Sequence, residues 1–177
     1  MDRQETLHQL ISAAFLAPTS FNLQHFRFID VQDKDKQQTL LSAAGNWADE
    51  GEPEFVIALC GDNNSWQEAA NFAKHVSDEF VEMSQQKATM VYSSNEVTRR
   101  DEVNRTNGFA FTNMLVKAHQ LGLGSRVLEI DSPSSVTDLL NISDAYSLSA
   151  VVVFDKALAK PLLKCQPDLN LISEDGF

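Results

Sequence analysis

The chain has 177 residues, 43% of them hydrophobic, and a formal net charge of −11. That length and apolar content support one substantial core and require no second domain, so residues 1–177 read as a single domain. The acidic balance excludes nucleic acid and anionic membrane surfaces as partners, because both repel a surface of this sign.

Leu7, Leu10, Ile11, Ala14 and Phe15 recur at three- and four-residue spacing, which predicts a helix over Glu5–Leu16 that Pro18 ends. Phe26, Phe28, Ile29 and Val31 predict the first strand, closed by the polar cluster Gln32–Lys36. A short helix over Gln37–Ala44 leads through the acidic loop Asp49–Glu54 to a fully buried strand, Phe55–Cys60. After the turn Gly61–Asn64, the pattern predicts one helix from Trp66 to Met90, with Ala69, Phe72, Ala73, Val76, Phe80, Val81 and Met83 on its buried side. Val91–Arg100 is polar and carries no decided pattern. From Glu102 to Leu121 the apolar residues cover a wide arc, as expected of a central helix buried on most sides, and Gly122 ends it with a left-handed cap. Val127–Ile130 follows as a strand, Ser132-Pro133 starts a helix running to Leu140, and Ala150–Phe154 is the last core strand. The segment 161–177 is broken by prolines and alternates apolar with polar residues, so it needs a surface to lie on.

Two stretches carry chemistry. In Ala17-Pro18-Thr19-Ser20-Phe21-Asn22-Leu23-Gln24-His25-Phe26-Arg27-Phe28 a helix breaks into a polar turn and re-emerges as a strand; a hundred positions on, Asn113-Met114-Leu115-Val116-Lys117-Ala118-His119-Gln120-Leu121-Gly122-Leu123-Gly124-Ser125 joins a helix to a glycine-rich turn. Taken alone, Thr19 and Asn22 could serve only the turn backbone, and Gly122 only a helix cap. Together the two stretches resemble the flavin-dependent nitroreductase family, whose first motif reads approximately Ala-Pro-Ser/Thr-Ser-x-Asn-x-Gln-Pro-Trp-x-Phe. Here His25 and Phe26 replace the Pro-Trp pair.

The resemblance implies an α+β fold with a central, mainly antiparallel sheet flanked by helices. It implies an intertwined homodimer in which residues 161–177 pack on the partner subunit. It also implies FMN as cofactor, NAD(P)H as electron donor and a small-molecule electron acceptor such as a nitroaromatic or quinone. Pro18, Thr19, Ser20, Asn22 and Gln24 would form the turn that reaches the cofactor from the opposite subunit. Gly122, Gly124 and Ser125 would approach the flavin ring near N5, where glycine permits close contact. Asn46 lies where relatives have an asparagine at the flavin's pyrimidine edge, and Lys164 where many have a Lys-x-Arg pair, although the arginine position here is Gln166. No acid–base side chain is expected, because the flavin carries the redox chemistry.

Relatives usually begin with an Arg-x-Ser-x-Arg-type motif that clamps the phosphate, and this chain starts after the corresponding point, with Arg3 its only nearby basic residue and Asp49 and Glu50 where some relatives have lysine. Either Arg99, Arg100 or Arg105 replaces the clamp, or the fold persists as a small-ligand binding or regulatory module with weakened flavin binding. Cys60 and Cys165 lack Cys-x-x-Cys spacing and His75 with Glu79 lacks a third ligand, so neither a disulfide nor a metal site is expected. With no run of about 18 apolar residues and no basic-then-apolar leader, the cytoplasm is the expected location.

Overall fold

A computed structural model describes residues 2–47 and 51–158. The predicted C-terminal tail, Lys164, Cys165 and the acidic residues Asp49 and Glu50 lie outside these residues.

Helix α1 (Arg3–Ala14) starts where Asp2 caps it, its carboxylate accepting from the Glu5 N–H at 2.7 Å, and it buries Leu10, Ala13 and Ala14. Strand β1 (Phe26–Asp30) and helix α2 (Lys34–Ala43), capped by Asp33, follow. Strand β2 (Phe55–Asp62) is buried through seven of its eight positions, as its unbroken apolar run predicts for an inner strand. A short 3-10 turn leads into α3 (Ala69–Ala73), α4 (Asp78–Tyr92) and the long α5 (Glu96–Gln120). Then come β3 (Gly124–Val127), α6 (Pro133–Leu140) with proline in its first turn, and β4 (Tyr146–Asp155).

The sheet has the order β1-β2-β4-β3, and every neighbouring pair is antiparallel. Alternation along β2 divides the core. Phe55 and Ile57 join Leu10, Phe26, Met114 and Phe154 under α1 and α5, whereas Val56 and Ala58 join Leu40, Trp47, Val136 and Val153 under α2 and α6. The fold is therefore three-layered, as the resemblance implies. Gly61 sets how closely α5 approaches: a Cβ there would lie 2.1 Å from Val103 Cγ1 and 2.9 Å from Asn107 Nδ2. The register of β2 against β4 shifts at Leu59/Cys60, just before this crossing.

Several boundaries and buried faces differ from the sequence expectation. The single helix expected over Trp66–Met90 is broken: His75 and Val76 sit in a turn, and Ser77 caps a new helix by accepting from the Phe80 N–H at 3.1 Å. His75 and Glu79 consequently share no helix face. The buried side of α4 is Ser84, Ala88 and Tyr92 rather than Phe80, Val81 and Met83. Helix α5 begins at Glu96, inside the undecided segment, because Asn95 caps it through the Thr98 N–H. Nor is it buried on most sides as expected, since Val97, Phe109 and Val116 face outward. Finally, Gly124–Val127, not Val127–Ile130, pairs with β4, and Ile130 instead bridges to Ala44 at the end of α2.

Candidate functional site

The residues singled out in the sequence fall into two groups at opposite ends of α5. The first is the turn after α1. Pro18 leads into it, exposed, and Thr19 is extended at φ −133°. The backbone then turns left-handed at Phe21 (φ 53°), Asn22 (φ 57°) and Gln24 (φ 43°), a conformation that a Cβ disfavours. Local bonds hold it there: the Gln24 N–H donates to Thr19 Oγ1 at 3.2 Å, and Asn22 Nδ2 donates to the Phe72 carbonyl of α3 at 3.1 Å. Within one chain, Thr19 thus serves the turn backbone, Asn22 ties the turn to α3, and Ser20 offers its own N–H to Glu102 Oε1 of α5 at 3.2 Å.

Beneath this turn lies a narrow crevice lined by Leu23, His25, Trp66, Tyr92, Arg99 and Glu102 among others. His25 is fully buried and its Nε2 is hydrogen-bonded to Thr106 Oγ1. Burial holds its pKa down at about 4, only partly opposed by the nearby Asp62 carboxylate. Trp66 Nε1 and Arg99 Nε are buried donors without a protein acceptor among the described residues. The Phe21 and Tyr92 rings meet edge to face at 6.1 Å, so the turn also presents an aromatic wall.

The second group surrounds the C-terminal end of α5. Gly122 takes φ 74° and its N–H returns to the His119 carbonyl at 3.0 Å; it is the left-handed cap the sequence implied, with open space where a Cβ would stand. Gly124 and Ser125 open β3 opposite Asp155 and Phe154. Asn46 reaches this strand across the fold: its Nδ2 donates to the Val127 carbonyl at 2.8 Å and its Oδ1 accepts from the Glu129 N–H at 3.0 Å. The amide side chain is therefore a strut that fixes the backbone leaving β3, and it joins Asn46 to Gly124 and Ser125 as one cluster.

Sequence reasoning passed over Arg126 in this cluster. Its guanidinium donates to the Asn46 carbonyl at 2.9 Å and lies 5.4 Å from the centre of the Trp47 ring. Its adjacency to Ser125 was the available signal. The cations named as clamp replacements all lie on the N-terminal half of α5, on the side of the first group. Arg105 is ion-paired with Glu102, Arg99 donates to the Tyr92 carbonyl at 2.7 Å, and Arg100 is exposed on α5. Arg3 is held by two bonds to Asp30, at 2.8 and 2.6 Å, so the cleft of about 450 Å³ that it shares with Lys34 and Glu54 offers no unengaged guanidinium. Cys60 is buried and its thiol is pushed up to about 11, which makes it inert as a nucleophile. Among the described residues no group of three or more His, Cys, Asp or Glu side chains could hold a metal ion. Nor is any described helix long and apolar enough to cross a membrane.

An antiparallel sheet between two helical layers, with a polar turn and a glycine turn at the two ends of one long helix, defines an α+β architecture shared with known oxidoreductases. The profile of the nitroreductase family matches residues 3–154, and the chain belongs to that family of oxidoreductases. It is 26% identical over 156 residues to Protein DrgA of a Synechocystis strain, covering 88% of this chain and 73% of that protein. A protein from Exiguobacterium sibiricum crystallised in complex with FMN superposes with a TM-score of 0.82 at 20% identity, over 98% of this chain and 87% of that one. The NADPH:FMN oxidoreductase of Vibrio harveyi, solved with NAD+, gives 0.72 at 18% identity, over 98% and 68%.

Proposed function

We propose that this protein is an FMN-dependent oxidoreductase that oxidises NAD(P)H and reduces small acceptors such as nitroaromatics or quinones, as a homodimer with a flavin bound between the subunits. The observation that carries this reading is the separation of the two site halves. From Glu102, which anchors Ser20, to the Gly122 cap, α5 rises about 30 Å at about 1.5 Å per residue. No flavin ring touches both ends of one helix of that length.

A second copy resolves the separation. Gly108 is the midpoint of α5 and faces open space, flanked by exposed Phe109 and, two turns on, Val116. Beside it is a cleft of about 310 Å³ lined by Leu59, Asn104, Asn107, Phe111 and Ser149. The fully buried Asn107 donates to Ser149 at 2.7 Å, but its Oδ1 accepts from no donor among the described residues. Two α5 helices crossing antiparallel at Gly108 set the N-terminal half of each, with its Thr19–Gln24 turn, against the C-terminal half of the other, with its Gly122–Ser125 turn and Asn46.

The residues present fit the neutral parts of FMN. Gly122 has open space where a Cβ would stand, Asn46 keeps one amide hydrogen and one lone pair beyond its strut bonds, and the partner's turn adds Ser20 and Asn22. Arg126 brings positive charge to the same cluster. When bound, FMN supplies hydride storage at N5; the protein binds, orients and shields the ring. Lys164 remains a candidate for the phosphate. The test is the visible spectrum of purified protein with and without added FMN, followed by NAD(P)H oxidation in the presence of a quinone or nitroaromatic. A flavin band near one per subunit and acceptor-dependent turnover are expected. A folded dimer that takes up no FMN refutes the reading and leaves a small-ligand binding module.

A further inference from the structure

A carboxylate withdrawn from water needs partners for its charge and its lone pairs. Glu102, in the first third of α5, is 5% exposed, and both of its oxygens are used. Oε1 accepts from the Ser20 backbone N–H at 3.2 Å, and Oε2 is ion-paired with Arg105 one turn along the same helix. Arg105 extends outward, 62% exposed, so the pair has its anion inside and its cation at the surface. Thr106, the next residue, packs its hydroxyl against His25 on the other side of the turn.

The segment held by Glu102 is the one whose backbone departs furthest from ordinary geometry. Phe21, Asn22 and Gln24 all adopt left-handed φ values although each carries a Cβ, and such conformations persist only where the surroundings over-determine them. The bonds from Thr19 and Gln24 are internal to the turn, and the bond from Asn22 reaches only the five-residue α3. Glu102 ties the turn itself to the long helix, and the His25–Thr106 bond adds a second tie just beyond it.

We infer that Glu102 is a positioning residue for the cofactor-facing turn: its buried carboxylate, neutralised by Arg105, fixes the Ser20 amide and thereby the left-handed Phe21–Gln24 backbone. Its consequence for the cofactor rests on the proposed function, because only there does the turn face a flavin. Its consequence for the turn does not. The acceptor oxygen, rather than the charge, is what Ser20 requires. A glutamine at 102 keeps that oxygen, and an alanine removes it.

The experiment is hydrogen–deuterium exchange of the apo dimer over residues 17–25, with FMN titration alongside, for the natural protein, Glu102→Ala and Glu102→Gln. In the alanine variant the turn is expected to exchange about tenfold faster while β2 and β4 stay protected, and FMN affinity to fall about tenfold. The glutamine variant is expected to restore turn protection and most of the affinity. Unchanged exchange in Glu102→Ala overturns the inference, and so does a glutamine variant as loose as the alanine one. If the natural protein takes up no FMN while the exchange results hold, the positioning role stands and the flavin reading falls.

Discussion

His25 stands where relatives of this family have proline, and its environment makes it a stability element sensitive to acid. Its pKa is about 4 in the folded chain against an ordinary 6.5, so the unfolded chain binds the proton first as pH falls. Stability from this group is complete above pH 6.5 and declines as pH drops through the window down to about 4, by about 3 kcal/mol over the full span. Urea unfolding at pH 7 and pH 4.5 should show that loss, and His25→Gln should flatten it; an equal loss in the variant would assign the acid sensitivity elsewhere. The sequence pointed to His25 only as a substitution within a motif. Its partner Thr106 lies 81 positions away on α5, so the contact could not be read from local pattern. The same holds for Glu102 and Ser20, separated by 82 positions, whereas Gly122 was legible because a left-handed cap is encoded by its own neighbours.

At the scale of elements, α5 and β2 are locked by a glycine. Gly61→Ala places a methyl group into Val103 and Asn107 and should destabilise the fold by roughly 1–3 kcal/mol. Adding Val103→Ala should recover part of that loss, measured by thermal or urea unfolding of the double variant. A double variant no more stable than Gly61→Ala would mean that Asn107, not Val103, is the obstruction. Helix α1 was legible from its helical period, β2 from its unbroken apolar run and α6 from its serine–proline start. The break between α3 and α4 was not, since the apolar spacing runs on through Val76 while the cap signal Ser77-Asp78-Glu79 sits inside it. The misplaced β3 has a different cause. Leu128 and Ile130 are as apolar as any strand, but pairing is decided by the partner: Gly124–Val127 meets β4, and the next residues turn away to the end of α2.

For the whole molecule, the open face of α5 is where the proposed homodimer is put to the test. In a monomer, Gly108→Ala should stabilise the helix by about 1 kcal/mol, because an exposed mid-helix glycine is costly and nothing crowds its Cβ position. A helix crossing at Gly108 reverses that sign. Gly108→Leu should shift the protein to monomer in sedimentation velocity with its circular dichroism unchanged; an undisturbed dimer would move the two-fold axis away from this residue. The site as a whole was half legible. The motifs named candidate residues, but that the described ones lie at opposite ends of one helix required the fold, and Arg126 required the approach of Asn46 to β3.

The order of the sheet has a consequence for how the chain is made. Among the described residues, β4 is an inner strand and the last in sequence, and β3 has β4 as its sole neighbour in the sheet. Until Tyr146–Asp155 is made, β1 and β2 form a two-strand ribbon with the apolar edge of β2 uncovered, and β3 lacks its partner strand. Such long-range closure makes folding slow and leaves that edge as the aggregation hazard of the nascent chain. The step that completes the sheet is therefore the arrival of Tyr146–Asp155.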